Sequence, residues 1–220
     1  MEVINATDPA PDVVIHTGDI THDALPEEYS TARRLLDKLE FPYFVMAGNR
    51  DNRARLIDVF ADGKYICEHD EFIQYPVEDF AVRLLLLDTV SADGNSAEQT
   101  ASNKGELCEQ RLALLDSMLA ADTGRPVAIF MHHSPFEATA IPDPFQFDDW
   151  NEVDRFHALL AGYPQVRGIY CGHIHRNAEA VVGGINIQAI TCMACDLRKG
   201  QLTDTERSVP AIRVLDYPDT

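Results

Sequence analysis

Four apolar runs each break off at a residue that can bind a metal: Val13-Val14-Ile15-His16-Thr17-Gly18-Asp19, Tyr43-Phe44-Val45-Met46-Ala47-Gly48-Asn49, Val127-Ala128-Ile129-Phe130-Met131-His132 and Gly168-Ile169-Tyr170-Cys171-Gly172-His173-Ile174-His175. Short, β-branched and aromatic runs of this kind read as strands buried on both faces. Groups just beyond the carboxyl ends of strands in an open α/β sheet converge on one crevice. Asp19, Asn49, His132, His173 and His175 can therefore meet although they lie far apart in the chain. In three of the runs a glycine directly precedes the ligand residue, which suits a tight exit from a strand.

Working outward, strands are expected at 13–16, 43–46, 72–75, 82–87, 127–131, 166–170, 185–190 and 211–215. Between them, Tyr29, Ala32, Leu36 and Leu39 fall on one face of a helix, as do Cys108, Leu112, Leu115 and Leu119, and Trp150, Val153, Phe156 and Leu160. Strands alternating with helices make an α/β domain. Residues 91–105 and 137–149 lack periodicity and read as long surface loops, either disordered or near a functional site. No repeat or linker interrupts the chain, so residues 1–220 are expected to form a single domain.

Composition narrows the function. The chain is 45% hydrophobic and 25% charged, within the range of folded soluble proteins. Thirty-six acidic residues against 18 basic ones give a net charge of −18, which argues against a general binder of nucleic-acid polymers or anionic membranes. Any phosphate chemistry needs a locally positive site, and metal ions supply one. The longest apolar runs are strand-sized, short of the roughly 18–20 residues of a membrane span. Met1-Glu2-Val3-Ile4-Asn5-Ala6 lacks the pattern of a signal peptide, and five cysteines suit free thiols, so a cytoplasmic location is expected.

Asp, Asn and several His form a mixed oxygen and nitrogen set without thiolate. It suits Mn, Fe, Zn or Co with open coordination positions rather than a closed structural zinc. A carboxylate bridging two such ions would hold a hydroxide placed for in-line attack at phosphorus.

Taken in order, Gly18-Asp19, Gly48-Asn49-Arg50-Asp51, His132-His133 and Gly172-His173-Ile174-His175 resemble the motifs of the calcineurin-like metallophosphoesterases, closest to the bacterial class III cyclic-nucleotide and glycerophosphodiester phosphodiesterases. The Leu85-Leu86-Leu87-Asp88 strand and the helix start Gly105-Glu106-Leu107-Cys108-Glu109-Gln110-Arg111-Leu112 fit as well, so the likeness covers essentially the whole chain. It implies a four-layer α-β-β-α sandwich of two mixed sheets with flanking helices. It also implies that Asp19 is a carboxylate bridging two divalent or mixed-valence ions such as Mn or Fe. Asn49, His132 and His173 match the remaining ligands of one ion, and His175 a ligand of the other. His133 then lines the pocket.

The pattern departs from the family in two places. No Asp-x-His occurs in the 220 residues, where the family carries two ligands of the first ion on an initial strand. The chain is therefore expected to start after that strand and to hold two ions or only one. Arg50 stands where the family usually has His; its fork of donors can hold phosphoryl oxygens, but it is a poor proton donor. His22, three residues after Asp19, is a candidate replacement ligand. The remaining polar groups have blander readings. His16 reads as a core residue or one behind the ligands, and His69 and His157 as surface or helix-face residues. Cys192-Met193-Ala194-Cys195 reads as buried thiols rather than a redox or zinc motif, and Asp143, Asp148 and Asp149 as a solvated face.

The resemblance implies a metal-dependent hydrolase of a small phosphodiester, with 3′,5′-cyclic AMP the leading substrate. Metal-bound hydroxide would attack phosphorus, with Asn49, Arg50 and His133 in catalytic positions. Alternatives are a less selective phosphomonoesterase or phosphodiesterase, and a single-metal or metal-free relative serving as a regulatory or scaffold domain. A small phosphodiester is the expected partner, and a homodimer is compatible with the family.

Overall fold

The computed structural model describes residues 1–67, 71–91, 103–138 and 146–217. After a short α1 (Glu2–Asn5), β1 (Val14–His16) runs parallel to β2 (Tyr43–Val45), with Val14 opposite Tyr43 and His16 opposite Val45. The link between them is α2 (Pro26–Leu36), which starts on a proline whose missing N–H costs nothing there; the Glu28 carboxylate accepts from the Leu25 N–H (2.9 Å). Then α3 (Arg53–Phe60) packs against α2, capped by the Asn52 side chain on the Arg55 N–H (3.1 Å).

The second sheet has six strands: β3 (Tyr75–Val77), β4 (Arg83–Leu87), β5 (Val127–Met131), β6 (Val166–Cys171), β7 (Ala178–Val182) and β8 (Ile185–Ala189), in the spatial order β3-β4-β5-β6-β8-β7. The strands β4, β5, β6 and β8 are parallel, and the edge strands β3 and β7 pair antiparallel with their neighbours. Right-handed crossover logic places α4 (Glu109–Ala120) between β4 and β5, and α5 (Trp150–Leu160) between β5 and β6. Every residue of β4 and β5 is buried, as a parallel sheet covered on both faces requires. Leu115 and Leu119 of α4 and Phe156 and Leu160 of α5 join these strands, Val45 of the first sheet and Met46 just beyond it in one core. The α/β architecture with a mixed sheet and flanking helices agrees with the sequence; the smaller sheet is a parallel pair among the described residues. No helix among them is long and apolar enough to cross a membrane.

Several element boundaries differ from expectation. The strand expected at 72–75 begins at Tyr75; before it, the Ile73 N–H is turned to the Asp88 carboxylate (2.9 Å) rather than to a neighbouring strand. Residues 211–215 form no strand. Ile212 and Val214 are exposed (38% and 59%), and the Arg213 side chain reaches Gln188 and Glu179 across the sheet edge instead of the backbone pairing with it. Elements not expected from the sequence include α3, β7, a 3-10 turn at Cys195–Leu197 and a short helix at Asp204–Ser208. The third helix has Arg53 at a core-facing position, while β7 is a half-exposed edge strand joined to β8 through Gly183-Gly184, both at positive φ. His69 and Asp143 lie outside the described residues, as do parts of both expected loops.

Candidate metal centre

The carboxyl ends of β1, β2, β5 and β6 bring Asp19, Asn49, His132 and His173 together. Two glycines make room. A side chain at Gly48 would put its Cβ 2.3 Å from the Asp19 nitrogen and Oδ1 and 2.8 Å from the His132 ring, and Gly18 adopts φ +92° against the same imidazole. Beneath them Asp51 ties the two loops. Its buried carboxylate accepts from the backbone N–H groups of Ile20 (3.1 Å), Thr21 (3.2 Å) and Gly48 (2.9 Å) and from the hydroxyls of Thr21 and Tyr29. Burial, with the Asp19 charge nearby, raises its pKa to about 6. The Arg50 N–H donates to Asp19 Oδ1 at 2.8 Å, which turns the other oxygen toward His132.

His132 Nδ1 donates to the Thr17 carbonyl (2.7 Å), which leaves Nε2 facing Asn49 Oδ1 at 3.1 Å and Asp19 Oδ2 at 3.5 Å. His173 Nδ1 lies 2.9 Å from the same Asn49 oxygen. In neutral His132 these are lone pairs pointing at lone pairs, an arrangement that requires a proton or a cation between them. Ligand atoms about 2.1 Å from a common ion stand roughly 3.0–3.5 Å apart, so the observed separations fit a divalent ion held by oxygen and imidazole. Burial alone would lower the His132 pKa, but the Asp19 charge and hydrogen bond raise it overall. Burial likewise opposes ionisation of Asp19, yet His132 and the Arg50 N–H hold it well below the usual carboxylate range.

Three residues at this centre occupy the left-handed region without being glycine: Asp19 (φ 55°), His173 (φ 66°) and His175 (φ 56°). His175 fixes its ring by donating from Nδ1 to the Leu197 carbonyl (3.1 Å), leaving Nε2 without a hydrogen bond among the described residues, while its own carbonyl takes the Lys199 N–H and the Thr191 hydroxyl. Its pKa is lowered, by burial first.

His133 lies behind the ligands and is fully buried. Its Nδ1 meets the Thr89 hydroxyl (2.8 Å), its Nε2 the Asn103 carbonyl (3.3 Å), and its ring packs 4.4 Å from that of His173. The imidazole nitrogens of His132, His133 and His173 fall within 4.8 Å of one another. Burial, then the charge of His173, holds His133 well below its ordinary pKa, so it is a neutral ring. Arg50 and His22 are exposed, and neither side chain hydrogen-bonds among the described residues. Arg50 stands at the rim next to Asp19, whereas His22 is not joined to the ligand set. His16 keeps a buried Nδ1 without a hydrogen-bond partner among the described residues, and His157 holds the Pro135 carbonyl (2.8 Å).

The sequence reading missed Thr17, Asp51, Thr89 and Asn103. Asp51 could have been found, since it closes the motif that carries Asn49. Asn103 sits in an aperiodic loop that gives no such signal.

A family model described as Calcineurin-like phosphoesterase matches residues 1–177. The chain is 30% identical over 215 residues to a protein of Arcobacter nitrofigilis named "Probable glycerophosphodiester phosphodiesterase GpdQ", covering 96% of this chain and 75% of that one. It is 32% identical to glycerophosphodiester phosphodiesterase GpdQ of Enterobacter lignolyticus, over 78% of this chain and 59% of the relative. To the 3′,5′-cyclic adenosine monophosphate phosphodiesterase CpdA of Vibrio vulnificus it is 25% identical, over 83% and 62%. The chain thus spans less than two thirds of the length of two of these three relatives. A dimetal phosphatase from Danio rerio superposes with a TM-score of 0.66 at 19% identity, over 82% of this chain and 72% of that one, which shows a shared fold. The ordered strand-end motifs and the match across most of the sequence agree: this chain belongs to the calcineurin-like phosphoesterase family.

Proposed function

We propose that this chain is a metal-dependent phosphodiesterase whose centre is held by Asp19, Asn49, His132 and His173, with His175 reaching a second ion position. The observation that carries the reading is the approach of Asn49 Oδ1 and Asp19 Oδ2 to a single imidazole nitrogen, His132 Nε2. A bound divalent ion supplies Lewis-acid polarisation of a phosphoryl oxygen and lowers the pKa of water. The chain's own residues do the rest. Asn49, His132 and His173 fix the ion's place, and Asp19 supplies the negative charge that draws it in. Arg50, exposed beside Asp19, offers a guanidinium to the non-bridging oxygens of a phosphodiester as charge builds on them. His133, neutral and buried, keeps the His173 ring in position.

The substrate in this reading is a small phosphodiester, with 3′,5′-cyclic AMP leading and a glycerophosphodiester next, following the names of the relatives. The reading takes residues 1–220 as one domain acting in the cytoplasm, with Mn or Fe as the ion. A single-ion protein serving as a regulatory domain is a second reading. It is favoured by the second ion position, where Asp19 and His175 are the only members of the expected set among the described residues, and by His22, whose exposed side chain makes no hydrogen bond to that set among them.

Elemental mass spectrometry after manganese reconstitution tests the metal, and hydrolysis of cyclic AMP, an aryl monoester and a bis-aryl diester tests the reaction. Bound manganese with preference for a diester supports the phosphodiesterase. Bound manganese with no hydrolysis of any of the three favours the regulatory reading, and no bound metal refutes both readings of the centre.

A further inference from the structure

A carboxamide has two ends of nearly equal shape and opposite chemistry: the oxygen can ligate a cation, and the NH₂ cannot. Asn49 must present Oδ1 to the ion position, yet His132 and His173 alone do not enforce it, because an imidazole nitrogen can accept from NH₂ as well as face an oxygen. The discriminating contact is on the other side. Asn49 Nδ2 donates to Asn103 Oδ1 at 3.1 Å.

We propose that Asn103 is a positioning residue that selects the metal-binding orientation of Asn49. The inference rests on the metal-centre reading above and goes beyond it, since Asn103 belongs to none of the motifs that carry the family. The segment bearing Asn103 is itself anchored. Its carbonyl takes His133 Nε2 (3.3 Å), Lys104 pairs with Asp148, and Gly105 bridges to both Val90 and Phe147, with its N–H on the Gln146 carbonyl (2.7 Å). A Cβ at Gly105 would stand 2.7 Å from the His133 ring, so this close approach needs glycine. Asn103 therefore reads the back of the ligand set twice, through its carbonyl at His133 and through its side chain at Asn49. Its own exposure makes it replaceable without opening the core.

Loss of a residue that orients a metal ligand costs 10- to 100-fold in metal affinity. Asn103 falls at the low end, because water at an exposed position substitutes for part of the lost acceptor. The test is a double-mutant cycle on manganese affinity, read from the paramagnetic resonance of free Mn²⁺, with melting temperature as the folding control. Asn103→Leu, which keeps the shape and removes the acceptor, is expected to weaken binding about tenfold. In an Asn49→Asp background the same change is expected to alter affinity less than twofold, because a carboxylate presents oxygen whichever way it turns.

Binding by Asn103→Leu equal to the wild type overturns the proposal, and so does an equal loss in both backgrounds, which would mark a merely structural role. Should Asn103→Leu melt early, Asn103→Ala takes its place in the cycle. Should Asn49→Asp bind no manganese, Asn103→Asp replaces it as the comparison, since it keeps an acceptor toward Nδ2. Retention with Asp and loss with Leu supports the orientation role; equal loss overturns it. A wild-type chain that binds no manganese overturns the metal-centre reading and this inference with it, an outcome distinct from normal binding by both wild type and variant.

Discussion

Arg53 and Asp88 meet as a two-pronged ion pair in the core, Nε to Oδ2 at 2.6 Å and Nη2 to Oδ1 at 2.7 Å, with side chains 3% and 0% exposed. The pair joins the start of α3, directly after the loop that carries Asn49, to the end of β4. Asp88 also accepts from the backbone N–H groups of Ile73 and Val90, both at 2.9 Å. Asp88→Ala would leave a buried guanidinium unpaired and two backbone donors unsatisfied. A loss of about 3–5 kcal/mol is expected, measurable by urea denaturation.

His16 carries a buried nitrogen with no partner among the described residues, and burial lowers its pKa to about 4, with Asp19 pulling the other way. A histidine depressed in the folded state favours folding above its unfolded pKa of about 6.5, and that contribution is lost as pH falls toward 4. His16→Val removes this dependence. Metal-free wild type should lose up to about 3 kcal/mol more than the variant between pH 7 and pH 4, read from denaturation midpoints at each pH.

Arg50→Ala is expected to leave manganese content and melting temperature unchanged, because the side chain is exposed and makes no hydrogen bond among the described residues. It should lower kcat/KM on a diester roughly 100-fold by removing one charge-stabilising donor. Arg50→His would restore part of the rate and add a basic limb to the pH profile, as imidazole loses its proton near pH 6.5. A variant that bound less metal would place Arg50 in the ligand framework instead.

Gly48→Ala inserts a methyl group 2.3 Å from Asp19 and 2.8 Å from His132. The loops must separate to admit it, so manganese binding should fall below detection at micromolar protein. The control is Gly63→Ala, which meets nothing within 4 Å, pays only for its positive φ, and should keep its metal.

The clustering of Asp19, Asn49, His132 and His173 was legible because each follows a run too short and too apolar to be anything but a buried strand, and in three of the four the turn out of it is marked by glycine. The same rule misread residues 211–215, where an apolar alternation drapes over the sheet edge without a backbone partner. Periodicity concealed α3, since Arg53 occupies a position normally apolar and becomes a core residue through Asp88, 35 residues away in sequence. Asn103 and Thr89 were invisible for a related reason: what places them is a hydrogen bond to a distant side chain, and local pattern carries no trace of that.

Asp19, His173 and His175 take up the left-handed backbone within the turns that follow β1 and β6. Conformations of this kind cost about 1 kcal/mol or more each and persist where the surroundings over-determine them. The consequence is one of side-chain shape: a β-branched residue at any of the three positions tolerates this backbone worst, so Asp19→Val, His173→Val and His175→Val should each lower the melting temperature more than the corresponding Asn variants, with metal absent.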